Sequence, residues 1–192
     1  MKTELTLEII RERWSPYAFS KNNIEEFRLK AMLEAAGKAP SCFNEQPWMF
    51  VYTTREDESI FNSYLDFMEE SNQAWAKNAY AIIIAMARTR FTHNGKVNRF
   101  ALYDTGMAVA NLSLQALAFD IYVHQMGGFF VEKVRKHFNL SDDVEPLTMI
   151  AAGYLGSGEN LPPEVLRKDE VRRPRKYLND IAFKDRLYNP GF

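Results

Sequence analysis

AYAIIIAMA, residues 79–87, carries no charge and has three consecutive isoleucines at its centre. A strand with one wet face alternates apolar and polar side chains; this one is apolar throughout, so both of its faces must be covered. It is far too short to span a bilayer. Its natural place is inside a sheet that has helices on each side. Upstream, the pattern predicts helices over residues 6–14 and 24–36, a strand over 48–53 and a helix over 56–76 with Ile60, Tyr64, Phe67 and Met68 as its apolar stripe. The second helix starts from an Asn22 or Asn23 cap, presents Ile24, Phe27, Ala31, Met32 and Ala35 on one face, and stops at Gly37, with Pro40 blocking continuation. Downstream, a helix over 100–119, a strand over 121–125, a short helix over 131–138 and a strand over 147–154 complete the series. Helices interleaved with four short strands predict an α+β or α/β layered fold.

The chain has 192 residues, 46% of them hydrophobic and 14% aromatic, enough for one domain with a substantial core. With 24 basic and 25 acidic residues the formal net charge is −1, so no global field draws the protein to nucleic acid or an anionic membrane. Any anion site must be local. The uncharged run at residues 105–119 includes Asn111, Ser113 and Gln115 and is too short for a membrane span. The opening MKTELTLEIIRERW lacks the apolar core of a signal peptide, and the one cysteine, Cys42, forms neither an internal disulfide nor a Cys-rich zinc site. A cytoplasmic location is the resulting expectation. From Leu161 the composition shifts to prolines, dense charge and scattered apolar anchors, which marks residues 161–192 as an extension that is either loosely attached or wraps another surface.

Several chemistries are absent. There is no phosphate loop of the G-x-x-x-x-G-K-[ST] type, the glycines of GYLGSG have the wrong spacing for a dinucleotide fingerprint, and no G-x-S-x-G elbow occurs. His93, His124 and His137 lie too far apart for a helical metal pair, and no metal site is expected. His124, within a strand-like apolar run, reads as a core histidine, and Cys42 as a small packing residue. Four polar segments remain. Arg13, Trp14, Ser15 and Tyr17 close the first helix; Pro40, Ser41, Cys42, Asn44 and Gln46 lead into the first strand. Gln125, Met126, Gly127 and Gly128 leave a strand through paired glycines, which let a backbone approach a ligand closely. Arg172, Arg173, Arg175 and Lys176 put four positive charges into five residues. Together these segments suit a ligand with a flat polar ring and an anionic tail.

At these residues the chain resembles the nitroreductase family, flavin-dependent oxidoreductases that use FMN. The R-x-S-x-[RK]-x-F pattern is met at Arg13, Ser15 and Phe19, and P-S-x-x-N-x-Q-P-W in full at residues 40–48. Asn72 and Trp75, then Asp104-Thr105-Gly106, then Met126-Gly127-Gly128-Phe129, then Arg173 and Arg175 follow in the family's order. The resemblance implies a single α+β nitroreductase-like domain with a central mixed sheet flanked by helices, forming a homodimer. Residues 161–192 would wrap the partner and contribute to the flavin phosphate site. It further implies that Arg13, Ser15, Arg173 and Arg175 hold the FMN phosphate, that Asn72 bonds the flavin pyrimidine edge, and that the Gly127 or Gly128 N–H faces N5. Trp14, Tyr17, Gln46, Trp75, Gln125 and Met126 would complete the flavin contacts, with Pro40, Ser41, Cys42 and Asn44 coming from the partner. The helix over 105–119 would lie in the dimer interface.

The implied activity is transfer of hydride from NADH or NADPH through FMN to a nitroaromatic, quinone or similar acceptor, by ping-pong kinetics. The alternatives are a specialised enzyme of the same fold, of dehalogenase or oxidase type, or a flavin-binding or sensing protein without turnover. The chain departs from the family at Tyr17, where Arg or Lys is usual, at Trp75, where some members have Lys, and at Gly127, where others have Glu.

Overall fold

The computed structural model describes residues 5–189. At its centre is β2 (Ala81–Arg88), every residue of which except the last is buried. It pairs on one side with β1 (Trp48–Thr54) and on the other with β4 (Val144–Tyr154), which in turn pairs with β3 (Ile121–Met126), giving the order β1-β2-β4-β3. All three pairings are antiparallel, where a mixed sheet was expected. The reason is in the connections. Thr54 lies opposite Ala81 and Met126 opposite Met149, so the excursions from β1 to β2 and from β3 to β4 return to the end of the sheet they left, while the one from β2 to β3 crosses to the other end and β4 separates those two strands.

Period-two alternation along β2 divides the interior into two cores. Ile82, Ile84 and Met86 face one side, against Phe61, Tyr64 and Phe67 around α3 (Glu58–Leu65) and Trp75 of α4 (Glu70–Ala76), while α6 (Val131–Phe138) adds Val134. Ile83 and Ala85 face the other, against Met32 of α2 (Glu26–Ala36) and Val109 and Leu112 of α5 (Ala101–Leu117). The stretch 79–87 therefore does what its composition requires. No helix among the described residues is long and apolar enough to cross a membrane.

Expectations for three elements need correction, each because a tertiary contact overrides local preference. The helix expected over 56–76 breaks into α3 and α4: the Phe67 carbonyl accepts from Phe130 N–H at 2.7 Å, and Glu69 N–H donates to the Gly128 carbonyl at 3.0 Å. Those exchanges replace helical bonds and lash the break to the paired glycines. The apolar stripe there runs through Phe61, while Ile60 is exposed. Helix α2 begins at Glu26 without an asparagine cap, because the Asn23 amide donates to Glu56 and its carbonyl oxygen accepts from Arg55. Its buried face is Leu29, Met32 and Ala36, leaving Phe27 exposed. Strand β4 starts at Val144 and contains Pro146, admitted by a register shift opposite Ala85 and Met86.

The first helix, α1, covers only Glu8–Glu12. The charged tail is more structured than expected: α7 (Pro163–Asp169) docks through Val165, 7% exposed, and Leu161, 8% exposed. Beyond α7, residues 171–181 are exposed, among them Val171, Tyr177, Leu178 and Ile181.

Candidate functional site

Arg13, Trp14, Ser15 and Tyr17 follow α1 as an extended segment and form one wall of a cavity of about 670 Å³. Arg173 and Arg175 close it from the tail, and Arg167 and Lys168 from the last turn of α7. Seven of the lining residues are Arg or Lys and none is acidic. Burial, and then the nearby like charge of Arg175, hold the Arg13 pKa below the ordinary arginine value. The Arg13 guanidinium reaches Ser15 Oγ at 3.4 Å, and the buried indole N–H of Trp14 has no protein partner. Cations, a hydroxyl and an orphaned donor are the set that a phosphate monoester satisfies.

The floor is aromatic. Tyr17 meets the Trp75 ring edge-on at 5.0 Å, and His124 lies 4.5 Å from both rings. Trp75 is 1% exposed, with Phe19 on its other side at 6.2 Å. It thus sits behind Tyr17 and His124, outside the cavity lining. The Tyr17 N–H donates to Asp169 Oδ1 at 2.6 Å, fixing the end of α7 to this floor. His124, read from sequence as a core residue, in fact lines the cavity, and its Nδ1–H donates to the Pro16 carbonyl at 2.9 Å. The signal was its even position in β3, which points it to the face where the N-terminal segment packs.

Burial pushes the His124 pKa below the ordinary 6.5, against smaller upward pulls from the Pro16 carbonyl and Asp169. The unfolded chain then binds this proton more readily than the folded one. His124 therefore contributes its full share of stability above pH 6.5, and that share is lost as pH falls from there toward the lowered value. Thermal melts between about pH 7 and 5 should show the decline, and His124→Gln should flatten it; an unchanged slope would assign the acid sensitivity elsewhere.

The other candidate residues fall into separate groups. The Asn72 amide donates to the Gly128 carbonyl at 3.0 Å. A Cβ on Gly128 would come within 2.7 Å of Asn72 Nδ2 and 2.9 Å of Glu69 Oε2, whereas one on Gly127 would meet nothing within 4 Å. Gly128 is therefore clamped, and Gly127 faces open space. Met126 is buried in the core, and Gln125 projects toward Ser113 on the opposite face of the sheet.

Pro40, Ser41 and Cys42 line a separate hollow, with Phe100, Tyr103, Asp104 and Met107, away from the cationic cavity. This loop is tightly set. Phe43, Asn44 and Gln46 have φ values of 54°, 56° and 53°, the Gln46 N–H donates to Ser41 Oγ at 2.9 Å, and the Cys42 N–H donates to the buried Asp104 carboxylate at 3.0 Å. Left-handed backbone at three non-glycine residues is a strain that persists where surrounding contacts enforce it. Sequence reading missed Asp104 as the anchor of this loop. Among the described residues no cluster of three or more His, Cys, Asp or Glu side chains could hold a metal ion.

Comparison with known proteins adds to this geometry. The nitroreductase family model matches residues 10–74 and 55–154. The crystal structure of an oxidoreductase containing FMN is 30% identical to the chain, superposes with a TM-score of 0.92, and the match covers 98% of this chain and 96% of that one. A protein from Clostridium acetobutylicum, assigned provisionally as an NADH oxidase, is 26% identical with a TM-score of 0.67, over 80% of this chain and 91% of its own. An uncharacterized 15.4 kDa protein of the ask 5′ region of Mycolicibacterium smegmatis is 29% identical over 133 residues, 69% of this chain and 88% of its own length.

Proposed function

The chain belongs to the nitroreductase family, and on that footing we propose that it is an FMN-dependent oxidoreductase that draws reducing equivalents from NADH or NADPH and passes them to a nitroaromatic, quinone or similar acceptor. The observation that carries the reading is the convergence of Arg13, Ser15, Arg173 and Arg175 on one cavity without a carboxylate in its lining. When bound, FMN supplies the hydride chemistry at its N5 atom.

The protein's residues bind and orient. Arg13, Ser15, Arg173 and Arg175 hold the phosphate, with guanidinium forks matched to its oxygens. Trp14 and Tyr17 border it, and His124, its Nδ1–H committed to Pro16, keeps the floor in place. Gly127 and Gly128 present backbone toward the ring, and Asn72, anchored on Gly128, borders its pyrimidine edge. Trp75 acts from below, by packing. Purified protein should be yellow with one FMN per chain, and should oxidise NAD(P)H when a quinone is added. Donor and acceptor would use one site in turn, so initial-rate lines at several acceptor concentrations should run parallel. Intersecting lines would require two separate sites.

The reading also needs a second copy of the chain. Within one chain the loop at residues 40–46 lies away from the cationic cavity, so a homodimer would bring one protomer's loop to the other's flavin. The outward face of α5 suits that role: Leu102, Tyr103, Gly106 and Ala110 are exposed and uncharged, beside the exposed Phe27 of α2. Exposed apolar residues of the 171–181 tail would find cover on the same partner. Obligate interfaces of this kind bury roughly 2,000 Å² or more and resist dilution. Sedimentation at low micromolar concentration should show a dimer. A monomer that retains its flavin would be incompatible with a composite site.

A further inference from the structure

The cationic cavity holds more positive charge than one phosphate uses. Seven of the chain's 24 Lys and Arg residues line it, although the whole protein carries a net charge of −1. Arg13 and Arg175 are coupled to each other and, with Ser15 and Arg173, account for one phosphate monoester. Arg172 is engaged elsewhere: it approaches Glu12 at 3.9 Å and lies 4.6 Å over the Trp14 ring. Of the other three, Arg11 belongs to α1, while Arg167 and Lys168 come together from a different element, α7.

Helix α7 is built against the site. Val165 buries its inner face, Leu166 packs over Gly158, and the adjoining Asp169 accepts from Tyr17 N–H at 2.6 Å. The two cations following Leu166 are thereby fixed relative to Arg13 and Ser15. A cavity of about 670 Å³ has room for a phosphate and part of a second ligand beside it.

Resting on the FMN reading above, we propose that Arg167 and Lys168 form a second anion subsite, which takes the 2′-phosphate of NADPH and makes the enzyme prefer NADPH over NADH. The two donors share the nicotinamide, both riboses and the pyrophosphate; only the 2′-phosphomonoester distinguishes them. A pyrophosphate diester carries one charge per phosphorus and is commonly met by backbone N–H groups at a helix N-terminus, whereas a monoester dianion calls for paired Arg and Lys side chains. The last turn of α7 offers such side chains and the wrong helix end for the diester.

The test compares NADPH and NADH as reductants of the flavoprotein, with 2′,5′-ADP and 5′-ADP as competing probes. Wild type should show kcat/KM at least about tenfold higher for NADPH, and 2′,5′-ADP should inhibit correspondingly better than 5′-ADP. In R167Q/K168Q the NADPH to NADH ratio should fall toward one while the FMN content stays stoichiometric. Equal loss for both donors would assign the pair to the pyrophosphate and overturn the proposal, as would loss of FMN from the variant or a wild type indifferent to the 2′-phosphate. The wild-type inhibitor comparison decides the matter even if the double variant fails to fold. A colourless protein that takes up no added FMN would instead defeat the flavin reading.

Discussion

Replacing Arg13 and Arg175 together by alanine is expected to weaken FMN binding about a thousandfold. A hydrogen bond to a charged group contributes roughly 2 kcal/mol, so the two amount to about 4 kcal/mol, and each 1.4 kcal/mol is tenfold. The single variants should not simply add. Burial and then the charge of Arg175 lower the pKa of Arg13 in the protein without a ligand; bound phosphate relieves that repulsion, either single variant forfeits the relief, and each single loss will be larger than half of the total. Arg13→Lys keeps the charge but not the fork, and should fall between wild type and Arg13→Ala. Fluorescence titration of apoprotein with FMN measures all four. A double variant that purifies with stoichiometric FMN and binds it within about threefold of wild type would take the phosphate out of this cavity.

Trp75→Ala should cost about 3 to 5 kcal/mol of stability, the largest effect of any single substitution near the site. The indole is 1% exposed and enclosed by Tyr17, Phe19 and His124, so truncation leaves a cavity in a close-packed aromatic cluster. For a chain of this length the melting temperature should fall on the order of 10 °C. Trp75→Phe keeps most of the volume; it should lose much less stability and leave FMN content unchanged. If Trp75→Phe instead shed the flavin while keeping its melting temperature, the ring would be a direct flavin contact and not a support beneath one.

Most of the layered architecture was legible because it rests on patterns that local sequence carries. Residues 79–87 announced a strand buried on both faces, and Tyr64, Phe67 and Met68 of the expected stripe do cover one of them, although Phe61 and not Ile60 completes it; the uncharged helix covers the other face through Val109 and Leu112. The concentration of charge at residues 172–176 was legible for a similar reason, because four charges in five residues stand out against a net charge of −1, and three of them do line the cationic cavity. What sequence could not express was pairing between distant segments. The break at residues 66–69 depends on carbonyls and N–H groups of residues 128–130, and Pro146 is admitted to β4 by a bulge opposite Ala85 and Met86.

By itself, then, the sequence determined which residues are apolar enough to be buried, in what period, and where charge is concentrated, because these are properties of the chain as written. Only the tertiary structure decided which faces meet. It turned His124 into the cavity and Trp75 behind it, tied Tyr17 to Asp169 across 152 positions, and set the loop at residues 40–46 on Asp104, away from the arginines. Such contacts are chosen by the free energy of the whole packed chain. A residue's neighbours in space depend on every other segment finding its place, and no window of sequence contains that information.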